Sequence, residues 1–172
     1  MNFEQGSGAI RTFQSRTNVY HQSEGARFPD GIRLECCEVA EIVYTLSIRQ
    51  PWAALIVAGR KSIEIRSWPT RRRGRVLIHA AKIAVTDPAI WTHVTADMQP
   101  LSRHRGGVIG SVIIVECRGY PTLASFEEDA DAHLNPLDSY EAPRYGFVLS
   151  DPIELPFFAV KGNTGFFQVE IA

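Results

Sequence analysis

Apolar and polar positions along the 172-residue chain change period several times, and each change marks an element. Residues 43–49 predict a strand. Trp52, Leu55 and Ile56 then recur at helical spacing behind Pro51. Proline suits the first helical position, because its missing N–H is an orphan there anyway. Gly59, tolerant of positive φ, closes a helix over 51–58. Next, Ile63 and Ile65 alternate with Ser62, Glu64 and Arg66, the period of a half-buried strand over 62–67. The isoleucines face a core, so Glu64 and Arg66 share the opposite face, with Lys61 at its entrance. A strand over 75–81 follows. Thr86 or Asp87 caps a helix that begins at Pro88 and has Ile90, Trp91, Val94 and Met98 on its apolar side. Residues 99–107 read as a polar loop. The run Val112-Ile113-Ile114-Val115 predicts a strand over 107–118 that is buried on both faces. Residues 123–134 read as helix with an acidic outer side, and strands over 144–150 and 164–171 complete the pattern. Many strands with a few short helices predict an α+β barrel, without internal repeats.

The pattern weakens at the N-terminus. Residues 1–31 hold only Ile10 and Val19 among Ile, Leu and Val. Such a stretch buries too little to offset its ordering entropy, so 1–42 is expected to be a mobile extension and 43–172 the folded domain. Phe3, Phe13, Tyr20 and Phe28 supply the alternative, docking on that domain. Residues 32–42 fit a short helix or a strand. No basic-then-apolar leader is present, and no apolar run nears the roughly 20 residues of a membrane span. The three cysteines include the adjacent pair Cys36 and Cys37 and show no C-x-x-C spacing, and the five histidines are scattered. No metal site, disulfide framework or cofactor is expected, and the setting is expected to be the reducing cytoplasm.

Net charge is −1, yet its distribution is uneven. Residues 60–75 carry Arg60, Lys61, Arg66, Arg71, Arg72, Arg73 and Arg75 against Glu64 alone. Residues 127–141 carry six carboxylates and no Lys or Arg. Fifteen of the eighteen cations are Arg, whose planar fork matches phosphate and stacks on bases. A basic turn beside an aromatic, here Trp68, is a phosphate-tracking arrangement, or else a solvated loop.

Each candidate site residue carries two readings. Arg49 and Gln50 precede a helix, where free N–H groups favour anions; Gln50 otherwise serves as a cap substitute. Lys61 is a phosphate contact, a base if its pKa is lowered, or a solvated turn residue. Glu64 and Arg66 form either an exposed ion pair or a polar cleft, in which Arg66 takes phosphate or a base and Glu64 accepts from a base amine. Trp68 stacks on a base or packs at a barrel rim, and Trp52 belongs to the core. Arg73 and Arg75 track phosphate or are solvated. His79 points to the cleft or is a satisfied core histidine, and Lys82 begins a loop on the same side.

The segment Leu46-Ser47-Ile48, Gln50-Pro51-Trp52, Gly59-Arg60-Lys61, Ile63-Glu64-Ile65-Arg66 and Trp68 closely resembles the start of the ASCH (activating signal cointegrator homology) domain, a PUA-like β-barrel family. Arg73-Gly74-Arg75 with Leu77-Ile78-His79-Ala80-Ala81, Gly107-Val108-Ile109-Gly110, and Gly162 with Gly165-Phe166-Phe167 resemble its later strands, in order. The resemblance covers roughly 43–172. It implies a PUA-like mixed β-barrel that binds single-stranded RNA or a nucleotide beside the Lys and Glu-x-Arg residues. Some members hydrolyse: one bacterial branch deacetylates acetylcytidine, and ribonuclease activity occurs in the family. The deacetylating set implied is the Lys of Gly-Arg-Lys, a Thr three residues later and a distant Glu. Here Lys61 matches, Glu64 replaces the Thr, and Glu127 or Glu128 aligns poorly. The expectation is therefore an RNA- or nucleotide-binding domain. The alternatives are a metal-independent hydrolase with Lys61 as base and Glu64 as proton shuttle, or a protein-interaction adaptor using the acidic 127–141 surface.

Overall fold

A computed structural model describes residues 41–171. The expected extension over 1–42 lies outside these residues except for Glu41 and Ile42, which open the first strand, β1 (Glu41–Ile48). Helix α1 (Trp52–Val57) follows, with all six residues buried. Ala53 and Ala54 fill the positions between the predicted apolar ones, so the helix is a core element rather than an amphipathic surface one. Strands β2 (Ile63–Arg66) and β3 (Gly74–Ala80) come next. Asp87 accepts from Ala89 N at 2.9 Å and caps α2 (Pro88–Trp91), as the Asp-Pro pair predicts.

Residues 99–107 depart from the expected loop. Helix α3 (Gln99–Arg103) buries Leu101 and Ser102, because the Leu101 carbonyl is held by the buried Gln50 amide at 3.0 Å. Strand β4 (Gly107–Tyr120) leads to α4 (Leu123–Glu127) and α5 (Ala130–His133). The single helix predicted over 123–134 is thus two short ones. Strand β5 (Arg144–Ala159) runs well past the predicted end at 150, and β6 (Phe166–Ile171) ends the fold. Asp151-Pro152 reads as a break, yet the chain absorbs it with a positive φ of 47° at Asp151 and with register shifts against β4.

The strands form one mixed sheet of six in the order β2-β5-β4-β3-β1-β6. Among the described residues, only the β1–β3 pair is parallel. The fold is therefore the expected α+β, PUA-like one with a few short helices. β2 and β6 are the two edges, and no ladder joins them among the described residues, so the sheet curls without closing. Trp68 fills the seam, edge-on to Phe147 (5.1 Å) and to Phe166 (5.6 Å). The main core gathers α1, the inward faces of β1, β3 and β4, and Phe147 and Leu149 of β5. Truncating a side chain as buried as Leu55 to Ala typically costs about 2–5 kcal/mol.

Candidate functional site

The chain leaves β1, crosses α1 and returns as β2 at the far edge of the sheet, while β3 comes back beside β1. The ends of β1, β2 and β3 therefore surround a gap. A cavity of about 810 Å³ occupies it, walled by Ser47 and Arg49, by Glu64 to Arg66, by His79 and 81–83, and by the loop 161–165.

Its inner end is polar. Glu64 is buried, with its carboxylate 3.1 Å from Arg66 Nη2 and 3.8 Å from Lys61 Nζ. Arg66 Nη2 also donates to the Ser47 carbonyl at 2.8 Å, while its buried Nε–H has no partner among the described residues. The solvated ion pair of the sequence reading is thus a buried Lys–Glu–Arg row. Lys61 stands one layer behind the wall rather than on it. Its ammonium donates to the His133 carbonyl at the end of α5 and, at 2.9 Å, to Asn135 Oδ1. It also lies 4.6 Å from the Trp52 ring centroid. Burial pushes the Lys61 pKa down to about 8; Glu64 opposes that and Arg66 adds to it.

His79 is 2% exposed. Its Nε2 lies 3.2 Å from the Val160 carbonyl and its Nδ1 3.1 Å from Ser47 Oγ. Burial lowers its pKa, against the hydrogen bond to Val160. It is thus a satisfied histidine that also reaches the cavity wall. Arg49 and Lys82 line the cavity at exposed positions, as does Lys161.

Four expected site residues lie elsewhere. Gln50 is fully buried; its Oε1 accepts from Ala54 N at 3.0 Å, so the cap reading describes it. Trp68 is in the seam, with its ring centroid 6.0 Å from the Arg66 guanidinium. Arg73 folds back on the Thr70 and Arg72 carbonyls. Arg75 pairs with Asp151 and donates to Ser111 Oγ at 3.0 Å, on strands away from the cavity. Charge counting puts these arginines in one patch, but Arg73 lies in the turn before β3 and Arg75 on β3 itself, and neither lines the cavity. Ser47, Lys161, Asn163 and Thr164 also line the cavity, and none is among the site residues expected from the sequence. The available signal was the Lys-Gly-Asn-Thr-Gly run, a polar loop framed by glycines directly before a strand.

Among the described residues, no group of three His, Cys, Asp or Glu is placed to hold a metal, and no helix is long and apolar enough to cross a membrane.

Comparison with known proteins places this geometry. The model of the ASCH domain matches residues 46–157. Activating signal cointegrator 1 of Homo sapiens and of Mus musculus are each 28% identical over 137 residues, 74% of this chain but 22% of the relative. The chain thus spans about a fifth of the length of these relatives. The crystal structure of ASCH from Zymomonas mobilis superposes with a TM-score of 0.55 at 14% identity, covering 73% of this chain and 86% of that one. A crystal structure of a mutant of the same Zymomonas mobilis protein gives 0.54, covering 73% and 87% at the same identity. The superposition shows a shared fold, and the family match spans every wall of the cavity except the loop 161–165. The chain belongs to the ASCH domain family, whose fold is PUA-like.

Proposed function

We propose that the cavity binds single-stranded RNA or a nucleotide, with a base at the inner end and phosphate at the rim. The observation that carries this reading is the sorting of polar groups by depth. One carboxylate, Glu64, and the Arg66 Nε–H, unpartnered among the described residues, lie inside, whereas Arg49, Lys82 and Lys161 stand exposed at the mouth. A carboxylate repels phosphate, so Glu64 calls for a ligand N–H, and Arg66 for a ligand acceptor. A nucleobase edge offers both. The volume of about 810 Å³ falls within the roughly 300–1,000 Å³ of small-molecule sites. Membership of an RNA-binding fold family supports the same class of ligand. A cytoplasmic setting belongs to this reading and rests on composition alone.

In this reading Lys61 is a positioning residue. Its ammonium sits behind Glu64 among three acceptors, which supports holding the carboxylate better than abstracting a proton from a substrate. The adaptor alternative loses part of its charge, since Asp129 is taken by Arg118 and Tyr120 and Glu141 by Arg144. The test is titration of the protein with a labelled short RNA and with each nucleoside monophosphate. Arg66→Ala is expected to weaken binding about tenfold or more, the loss of about 1.4 kcal/mol or more from a charge-assisted contact. Absence of binding to every RNA and nucleotide at low salt overturns the proposal.

A further inference from the structure

Ser47 and His79 touch each other on the wall of the cavity, and the binding role gives neither a task. The Val160 carbonyl is only an acceptor, so the ring proton of His79 sits on Nε2, and Nδ1 presents a lone pair to the Ser47 hydroxyl. The imidazole is clamped. A Cβ at Gly162 would stand 2.3 Å from its Cε1, so only glycine lets the loop 161–165 lie against it. Phe167 meets the ring edge-on at 5.5 Å. Beside the serine, the Arg66 guanidinium donates to the Ser47 carbonyl and keeps a buried Nε–H without an acceptor among the described residues. A buried donor left unpaired is uncommon and often marks a site awaiting a ligand or a developing charge.

We propose that Ser47 is a nucleophile, His79 its general base and Arg66 the group that stabilises the oxyanion, and that the cavity hydrolyses an acyl ester or amide carried on a phosphate-bearing molecule. The class of carrier rests on the binding role above; the nucleophile does not. Ser47 Oγ bonds to the acyl carbonyl carbon while its proton passes to His79 Nδ1, and the carbonyl oxygen becomes an oxyanion facing Arg66. The bond from carbon to the leaving oxygen or nitrogen then breaks, and His79 returns the proton to that atom. Water attacks the acyl-serine, giving a proton to His79 as the new carbon–oxygen bond forms. The Ser47 oxygen departs and takes that proton, and the carboxylic acid is released. Val160 accepts from Nε2–H throughout, which fixes the tautomer and steadies the imidazolium. Arg49, Lys82 and Lys161 hold the phosphate of the carrier. Lys61 and Glu64 take no step.

The test uses a fluorophosphonate probe, which modifies activated serines and contains no nucleotide, so its outcome is separate from RNA binding. Intact mass and peptide mapping of the full chain are expected to show one adduct, at Ser47. The adduct is lost in Ser47→Ala, and its rate falls about 100-fold in His79→Gln, as expected when a general base is removed. p-Nitrophenyl acetate is expected to give a burst of one equivalent of nitrophenol, absent from Ser47→Ala. Should His79→Gln fail to melt cooperatively, Ser47→Ala, which removes a single hydroxyl, decides alone. No adduct on the folded chain, an adduct that persists in Ser47→Ala, or wild-type labelling of a folded His79→Gln overturns the nucleophile. Labelling of a chain that binds no nucleotide retains the nucleophile and removes the carrier.

Discussion

Lys61 is a buried ammonium, and its removal is expected to register first as lost stability. Lys61→Ala leaves Glu64 with one cation and the His133 carbonyl without its donor. Breaking a buried pair in this way costs about 3–5 kcal/mol. A urea midpoint checks this, and Lys61→Met, which keeps contact with Trp52, is expected to lose less. The same residue shows where sequence reading stops. Period-two alternation put Glu64 and Arg66 on one face and the isoleucines in the core; Glu64 and Arg66 do line the cavity and Ile63 is buried, but Ile65 lines the cavity beside them instead of entering the core. The depth of Lys61 was not legible, because its partner is a carbonyl 72 residues away. The buried histidines set the acid response. Burial holds His79 and His133 neutral, with pKa values below the ordinary 6.5. Below that pH the unfolded chain binds protons that the folded chain refuses. Stability is therefore full above about pH 6.5 and falls as pH drops through the lower folded values. Urea midpoints at pH 7.5 and pH 5.5 measure it, and the decline is expected to shrink in His79→Gln. Lys61 acts on the alkaline side: from about pH 8 towards 10.5 the folded chain releases a proton that the unfolded chain keeps, so stability rises relative to Lys61→Met.

At the scale of elements, the loop 161–165 is the wall that the sequence disclosed least. It contributes Lys161, Asn163 and Thr164 to the cavity and rests on His79 through Gly162. Gly162→Ala forces either the loop or the imidazole to move. Overpacking of this kind costs about 1–3 kcal/mol, and weaker RNA binding is expected with it; a thermal melt and an RNA titration read the two effects. β2 and the start of α2 were placed correctly, but α2 ends at Trp91, where the apolar spacing runs on to Met98, and Val115 of β4 is exposed where its apolar run predicts burial. The two elements missed outright share a cause. Helix α3 and the second half of β5 are polar or proline-containing segments, and they take regular form because distant partners fix their backbones: Gln50 for the one, β4 for the other. No local pattern encodes those partners.

At the scale of the molecule, a net charge of −1 conceals a cationic mouth. If the three cations at the mouth, Arg49, Lys82 and Lys161, each neutralise a phosphate, log K for a single-stranded RNA is expected to fall with log salt at a slope of about −2. Lys161→Ala is expected to flatten that slope by about 0.7, whereas Arg75→Ala, its partner being Asp151, is expected to leave it unchanged. The open seam between β2 and β6 has a practical consequence. The indole that plugs it stands 6.0 Å from the Arg66 guanidinium, which is expected to meet the base. A group that draws on Arg66 changes the electric field at Trp68, and an indole reports such a change in the colour and yield of its emission. With Trp52 and Trp91 replaced by Phe, Trp68 becomes a built-in optical gauge of occupancy, and filling of the cavity can be followed by light on an unlabelled chain.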